Sequence, residues 1–178
     1  MHALRARLTL VPRPVVLIDG GSGSGKTTLA AALAPALTAQ LVRLDDFYPG
    51  WDGLESASAA VSDDVLASVN PGWRRWDWTT ESTAEWHEID PSLPLVIEGS
   101  GCLSRANRER ATFGIWVELD APTRKQRAFA RDGEAYASQW DRWADHERAF
   151  GERERPWEIA DLILTDDDLT WLIDGLAS

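Results

Sequence analysis

Pro14-Val15-Val16-Leu17-Ile18-Asp19-Gly20-Gly21-Ser22-Gly23-Ser24-Gly25-Lys26-Thr27-Thr28 is the stretch from which the fold is read. Val15 to Ile18 is an unbroken apolar run, rich in β-branched residues, of the kind that forms a strand buried on both faces. Gly20 to Thr27 fits the pattern G-x-x-x-x-G-K-[ST]. The Ala- and Leu-rich run Thr27 to Ala39 predicts a helix. Strand, glycine loop and helix in that order give the pattern a physical meaning. Glycines admit positive φ and let backbone N–H groups approach phosphate oxygens. The helix N-terminus adds unpaired donors and a favourable dipole. Gly20, Gly21, Ser22, Gly23, Ser24, Gly25 and Thr28 are therefore candidate nucleotide-binding residues. Lys26 is expected on the β- and γ-phosphates, and the Thr27 hydroxyl on Mg²⁺. An accidental glycine-rich turn would need neither the strand before it nor the helix after it.

Outward from this stretch the chain alternates. Gln40–Leu44 predicts a second strand ending in Asp45-Asp46. Pro94–Glu98 predicts a third, Ile115–Leu119 a fourth and Asp161–Leu164 a fifth. Helices are expected over Ser56–Val69, with Ser62 as an internal N-cap, over Thr123–Asp132, over Glu134–Arg155 and over Leu169–Leu176. Trp73–Trp78 has no clear period, and Glu81–Ile89 predicts a short helix. Strands alternating with helices argue an α/β fold with a parallel sheet covered on both faces. A chain of 178 residues is the size of one domain.

Composition narrows the function. Lys plus Arg number 18 against 29 Asp plus Glu, a net charge of −11. That field repels phosphate backbones and anionic bilayers, so neither nucleic acid nor membrane is an expected partner. Any anionic ligand must be held by positive charge concentrated locally. Only Lys26 and Lys125 are lysines; the other basic residues are arginines, which makes a lysine at position 26 pointed. One cysteine, Cys102, cannot close an internal disulfide, and it reads as a small buried residue. The cytoplasm is the expected compartment. His87 and His146 read as structural.

Phosphoryl transfer needs an acceptor, a carboxylate to orient it and cations around the moving group. In open α/β sheets ligands bind beyond the carboxyl ends of the strands. Asp45 and Glu98 stand at such ends, on one rim with the glycine loop. Arg124, Arg127 and Arg131 share one helical face by their spacing, and guanidinium forks suit phosphate oxygens.

Together these residues carry a resemblance. Gly20–Thr28, Asp45-Asp46-Phe47-Tyr48, Glu98-Gly99, Arg124-x-x-Arg127-x-x-x-Arg131-Asp132 and Ala160-Asp161 resemble, in order, the uridine kinase / phosphoribulokinase branch of the P-loop kinases. The resemblance spans roughly residues 15–165, with gaps. It implies a three-layer P-loop kinase-like fold, a five-stranded parallel sheet of order 2-3-1-4-5. It implies ATP and Mg²⁺ as co-reactants and a small-molecule acceptor. Asp45 would be the general base toward a sugar hydroxyl, with Tyr48 and Glu98 beside the acceptor. Glu98 would also lie near Mg²⁺, and Arg127 and Arg131 would be lid residues on the phosphates. The acceptor segment would cover about 47–92 and the lid about 124–155.

The chain departs from that branch in Asn70-Pro71-Gly72-Trp73-Arg74-Arg75-Trp76-Asp77-Trp78. Ten tryptophans in all make such a segment conspicuous. Trp76 is a candidate for stacking a flat ring and Asp77 for holding a ribose diol. Arg74 and Arg75 are candidates for an acceptor phosphate, which would favour a nucleotide over a nucleoside. Packed tryptophans and solvated arginines are the other reading. A nucleoside kinase leads. A nucleoside monophosphate kinase, another metabolite or antibiotic kinase, and a non-catalytic ATP-binding module are the alternatives. A GTPase switch would need N-K-x-D, which the sequence lacks.

Overall fold

A computed structural model describes residues 11–176 of the chain. Its core is a parallel sheet built from β1 (Val15–Asp19), β2 (Gln40–Arg43), β5 (Leu95–Glu98), β6 (Phe113–Val117) and β7 (Leu162–Leu164). Their order across the sheet is β2-β5-β1-β6-β7, which in chain order of the five strands is 2-3-1-4-5. The expected fold class and topology are those observed.

The apolar run of β1 explains its central place. Side chains alternate between faces along a strand, so a strand covered on both sides must be apolar throughout. Val16 and Ile18 pack with Leu29 and Leu33 of helix α1 (Lys26–Ala36) and with Leu169 and Leu172 of helix α7 (Asp166–Leu176). Val15 and Leu17 enter the opposite cluster. That cluster also holds Leu54 and Ala57 of α2 (Leu54–Ala60), Val61 and Val65 of the π-helical turn that follows it, and Trp143 and Phe150 of α5 (Trp140–Glu154). Register brings the carboxyl ends of three strands level: Ile18 and Arg43 both lie opposite Glu98.

Several local expectations are corrected. Trp73–Trp78 and Glu81–Ile89 are not an aperiodic stretch and a helix but a hairpin of β3 (Gly72–Asp77) and β4 (Ser82–Glu88). A register shift between Arg74 and Trp76 breaks the two-residue period that would have marked the strands. Cross-strand pairs hold it: Trp73 stacks on His87 at 4.3 Å, and Arg75 binds Glu85 at 2.6 Å. Ser62 caps no helix; its hydroxyl donates to the Ala59 carbonyl inside the continuing turn. Helix α3 (Arg105–Arg110) was not expected; Ser104 caps it, accepting from the Asn107 N–H. The expected break between Thr123–Asp132 and the next helix is present as non-helical backbone at Gly133, but α4 (Ala121–Ala137) resumes beyond it and α5 starts only at Trp140. After α6 (Pro156–Ile159) and β7, α7 begins at Asp166, three residues early. There the Thr165 N–H and hydroxyl both donate to Asp168. No helix among the described residues is long and apolar enough to cross a membrane.

Leu17 is fully buried in the central strand. Leu17→Ala is expected to lower the unfolding free energy by about 2–5 kcal/mol in denaturant titration, the cost of a buried Leu-to-Ala cavity.

Candidate active site

The glycine loop is fixed at its root by a buried carboxylate. Asp19, 1% exposed, accepts from the N–H groups of Gly20 (2.6 Å), Gly101 (3.1 Å) and Leu103 (2.8 Å). Burial pushes its pKa up to about 6, against the pull of those donors and of Lys26. One side chain thereby ties the start of the loop to the segment that follows β5.

Two adjoining cavities flank the loop, and a third borders it at Gly20, Gly21, Arg124 and Glu147. A small one, about 190 Å³, is lined by Gly23, Gly25, Lys26, Thr27, Thr28, Arg127 and Arg131. A larger one, about 520 Å³, is lined by Ser22, Lys26, Thr27, Arg43, Asp45, Asp46, Arg131 and five aromatic rings: Tyr48, Trp51, Trp78, Tyr136 and Trp143. Lys26, Thr27 and Arg131 belong to both. The first cavity has the size and charge for phosphate groups; the second has flat apolar walls with carboxylates on its rim.

Glu98 is in the lining of neither cavity, but it touches Thr27, which lines both. It is 1% exposed, and its Oε2 accepts from the Thr27 hydroxyl at 3.3 Å. Its Oε1 is buried without a hydrogen-bond partner, with the Arg43 guanidinium 3.9 Å away. Burial raises its pKa, with Lys26 and Thr27 opposing. An orphaned carboxylate oxygen beside a hydroxyl is the donor set a hard cation takes. The Thr27–Glu98 pair therefore fits Mg²⁺. Among the described residues no three His, Cys, Asp or Glu side chains converge on a metal position.

Of the arginines on that helix face, Arg127 forms a two-pronged pair with Asp166, both contacts 2.9 Å, at the edge of the small cavity. Arg131 lines both cavities. Arg124 does not share their position. Its guanidinium donates to the Leu119 and Ser22 carbonyls and packs against the glycine loop. Gly20 and Gly21 face away from the small cavity, toward that arginine's side of the loop. Ser24 is buried, and its hydroxyl has no hydrogen-bond partner.

Asp45 is exposed on the rim, in a short 3₁₀ turn (Leu44–Asp46) that ends β2. Tyr48 is buried, and its hydroxyl donates to the Ser100 carbonyl at 2.7 Å, so it offers the larger cavity a ring rather than a hydroxyl. Arg74, Arg75, Trp76 and Asp77 are not brought into that cavity. Arg75 is held by Glu85, Arg74 lies over the Trp86 ring, and Asp77 accepts from the Thr79 and Thr80 N–H groups in the hairpin turn. Arg74, Arg75 and Trp76 line a separate hollow with Phe47 and Trp86. The hairpin reaches the larger cavity through Trp78 instead, whose ring is 5.2 Å from that of Trp51. Sequence reasoning missed Trp51, Tyr136 and Trp143 there, and Glu147 behind the loop. They come from other parts of the chain, and only the tertiary fold assembles them.

Comparison with known proteins bears on the fold. No protein-family model matches the chain. A curated tRNA dimethylallyltransferase from Chlorobium phaeobacteroides (strain BS1) is 44% identical over 57 residues, which is 32% of this chain and 17% of that protein. Among solved structures, a protein from Bacillus stearothermophilus described as a possible uridine kinase matches with TM-score 0.57 and 23% identity, covering 91% of this chain and 99% of that one. A shikimate kinase from Acinetobacter baumannii matches at 0.54 and 18%, covering 97% and 94%. A gluconokinase from Sinorhizobium meliloti matches at 0.53 and 16%, covering 93% and 92%. The fold is that of the P-loop small-molecule kinases. Those neighbours are named for different acceptors, so the uridine kinase branch is not singled out.

Gly23 has φ +81°, and a Cβ there would collide with the main-chain oxygen of Arg124. Left-handed backbone costs a non-glycine residue about 1–2 kcal/mol before any clash. Gly23→Ala is expected to weaken MgATP binding about tenfold or more, read by calorimetry, with the protein still folded.

Proposed function

We propose that the chain is an ATP- and Mg²⁺-dependent kinase that phosphorylates a hydroxyl group of a small molecule, and that this acceptor is a nucleoside or a similar flat-ringed polyol. The observation that carries the reading is the pair of cavities meeting at Lys26, Thr27 and Arg131, with Asp45 on the rim of the aromatic one.

In this reading Gly23, Gly25 and Thr28 cradle the phosphates of ATP in the small cavity. Lys26, Arg127 and Arg131 neutralise the charge that spreads over the moving phosphoryl group. Thr27 and Glu98 would hold Mg²⁺, which when bound offsets phosphate charge and orients the terminal groups. Asp45 orients the acceptor hydroxyl and takes its proton. The acceptor oxygen bonds to phosphorus as the bond between phosphorus and the ADP oxygen breaks. Trp51, Trp78 and Tyr136 stack the acceptor ring and, with Trp143, exclude water from the transfer. The cytoplasm supplies both co-reactants, and we infer that the protein works there.

The aromatic walls support an uncharged acceptor over a phosphorylated one. Arg74 and Arg75, the candidates for an acceptor phosphate, already have partners in the hairpin. The double variant Arg74→Ala/Arg75→Ala is expected to leave the acceptor KM within about threefold of wild type, since substitutions that touch neither substrate nor core have small effects. A rise of orders of magnitude would instead favour a nucleotide acceptor.

The test of the activity is a mass-spectrometric transfer assay. Protein, Mg²⁺ and ATP are incubated with pooled nucleosides, nucleotides, sugars and cofactor precursors. A phosphoryl gain on a nucleoside is expected, with kcat reduced roughly 10²- to 10⁴-fold in Asp45→Asn, the usual loss with a general base. If Asp46→Asn is the crippling change and Asp45→Asn is not, the base is Asp46. If ATP binds but no compound gains mass, the non-catalytic module takes precedence.

A further inference from the structure

The phosphate loop is gripped from behind by a carboxylate that the reaction described above does not use. Glu147 of α5 is largely buried, and four donors converge on its Oε1: the Ser22 N–H at 2.7 Å, the Ser22 hydroxyl at 2.8 Å, the Ser100 hydroxyl at 2.8 Å and the Trp143 indole N–H at 3.0 Å. Its other oxygen faces Arg124 at 3.4 Å. The same Arg124 nitrogen donates to the Ser22 carbonyl at 3.2 Å. Ser22 is thus held by its N–H, its hydroxyl and its carbonyl at once.

That has a consequence one bond further on. In a trans peptide the carbonyl and the following N–H point in opposite directions, and the described chain has no cis bonds. With the Ser22 carbonyl turned to Arg124, the Gly23 N–H must turn away from it. That N–H makes no hydrogen bond to another described residue, and Gly23 lines the small, phosphate-side cavity. Gly21 and Gly23 fall at positions the glycine-loop pattern leaves open. They are explained by the same contact, because a Cβ on Gly21 would strike the Arg124 guanidinium and one on Gly23 its main chain.

We propose that Arg124 and Glu147 form a clamp that presets the Ser22–Gly23 peptide, so that the Gly23 N–H is aimed at a bound phosphate oxygen before the ligand arrives. Both are positioning residues. The clamp also joins α5 to the loop, so the segment after the lid arginines and the phosphate site are held as one unit. The proposal rests on the phosphate-binding reading of the loop, but not on the identity of the acceptor.

Inorganic tripolyphosphate, titrated into the full-length chain by calorimetry, separates the two. Wild type is expected to bind it. Glu147→Ala is expected to weaken binding about tenfold or more, the scale of a lost hydrogen bond to a charged group. Glu147→Gln is expected to fall between, since its carbonyl still accepts from Ser22 while its neutral amide no longer pairs with Arg124. Arg124→Ala on top of Glu147→Ala is expected to add little, as coupled residues do. Thermal melts of each variant show that it is folded. A folded Glu147→Ala and a folded Glu147→Gln that both bind tripolyphosphate like wild type would overturn the clamp and leave Glu147 as a strut. Failure of wild type itself to bind would instead remove the phosphate-loop reading, and the clamp with it.

Discussion

The site depends on a buried carboxylate, Asp19, and on the three backbone N–H groups that satisfy it. Burying a charge is costly unless it is hydrogen-bonded, so the donors cannot drift without penalty. They come from the start of the glycine loop and from the turn after β5. Because β1 and β5 are neighbours, one side chain fixes the geometry of two loops. Glu98 immediately precedes the second of these, and Ser100 within it reaches on to Glu147. The phosphate loop, Glu98 and helix α5 are therefore parts of one hydrogen-bonded assembly.

Charge is arranged against the overall balance of the molecule. The chain carries a net charge of −11, yet Lys26, Arg43, Arg127 and Arg131 gather around the loop. A locally positive cleft in a negative protein binds phosphate by short-range contacts rather than by long-range attraction. Counter-charges keep the arginines in place, as Asp166 does for Arg127. The larger cavity follows a different rule, with rings from four separate segments making flat walls.

The sequence was most legible where local chemistry and global fold agree. The unbroken apolar run of β1 and the glycine pattern after it identified a buried strand and its loop, the other four strands of the parallel sheet read as short apolar runs, and their order came from the resemblance to the P-loop kinases. Glu98 stood out because a charged residue ends an apolar run. The hairpin was illegible because its register shift scrambles the alternation of Trp73 to Trp78. Arg124 looked like its neighbours Arg127 and Arg131 on the helix, but one turn of difference puts it behind the loop. Glu147, in a polar amphipathic helix full of carboxylates, carries no local mark at all. Its importance comes from what the fold brings to it.

In the proposed function one loop joins a phosphate site to an acceptor site; Lys26, Thr27 and Arg131 border both, and Asp45 serves the acceptor alone. Calorimetric titration of MgATP into wild type, Lys26→Ala and Asp45→Asn tests it most directly. Tight binding in wild type, loss of binding in Lys26→Ala and near-normal affinity in Asp45→Asn are expected. Equal loss in both variants, or undiminished binding in Lys26→Ala, would contradict it.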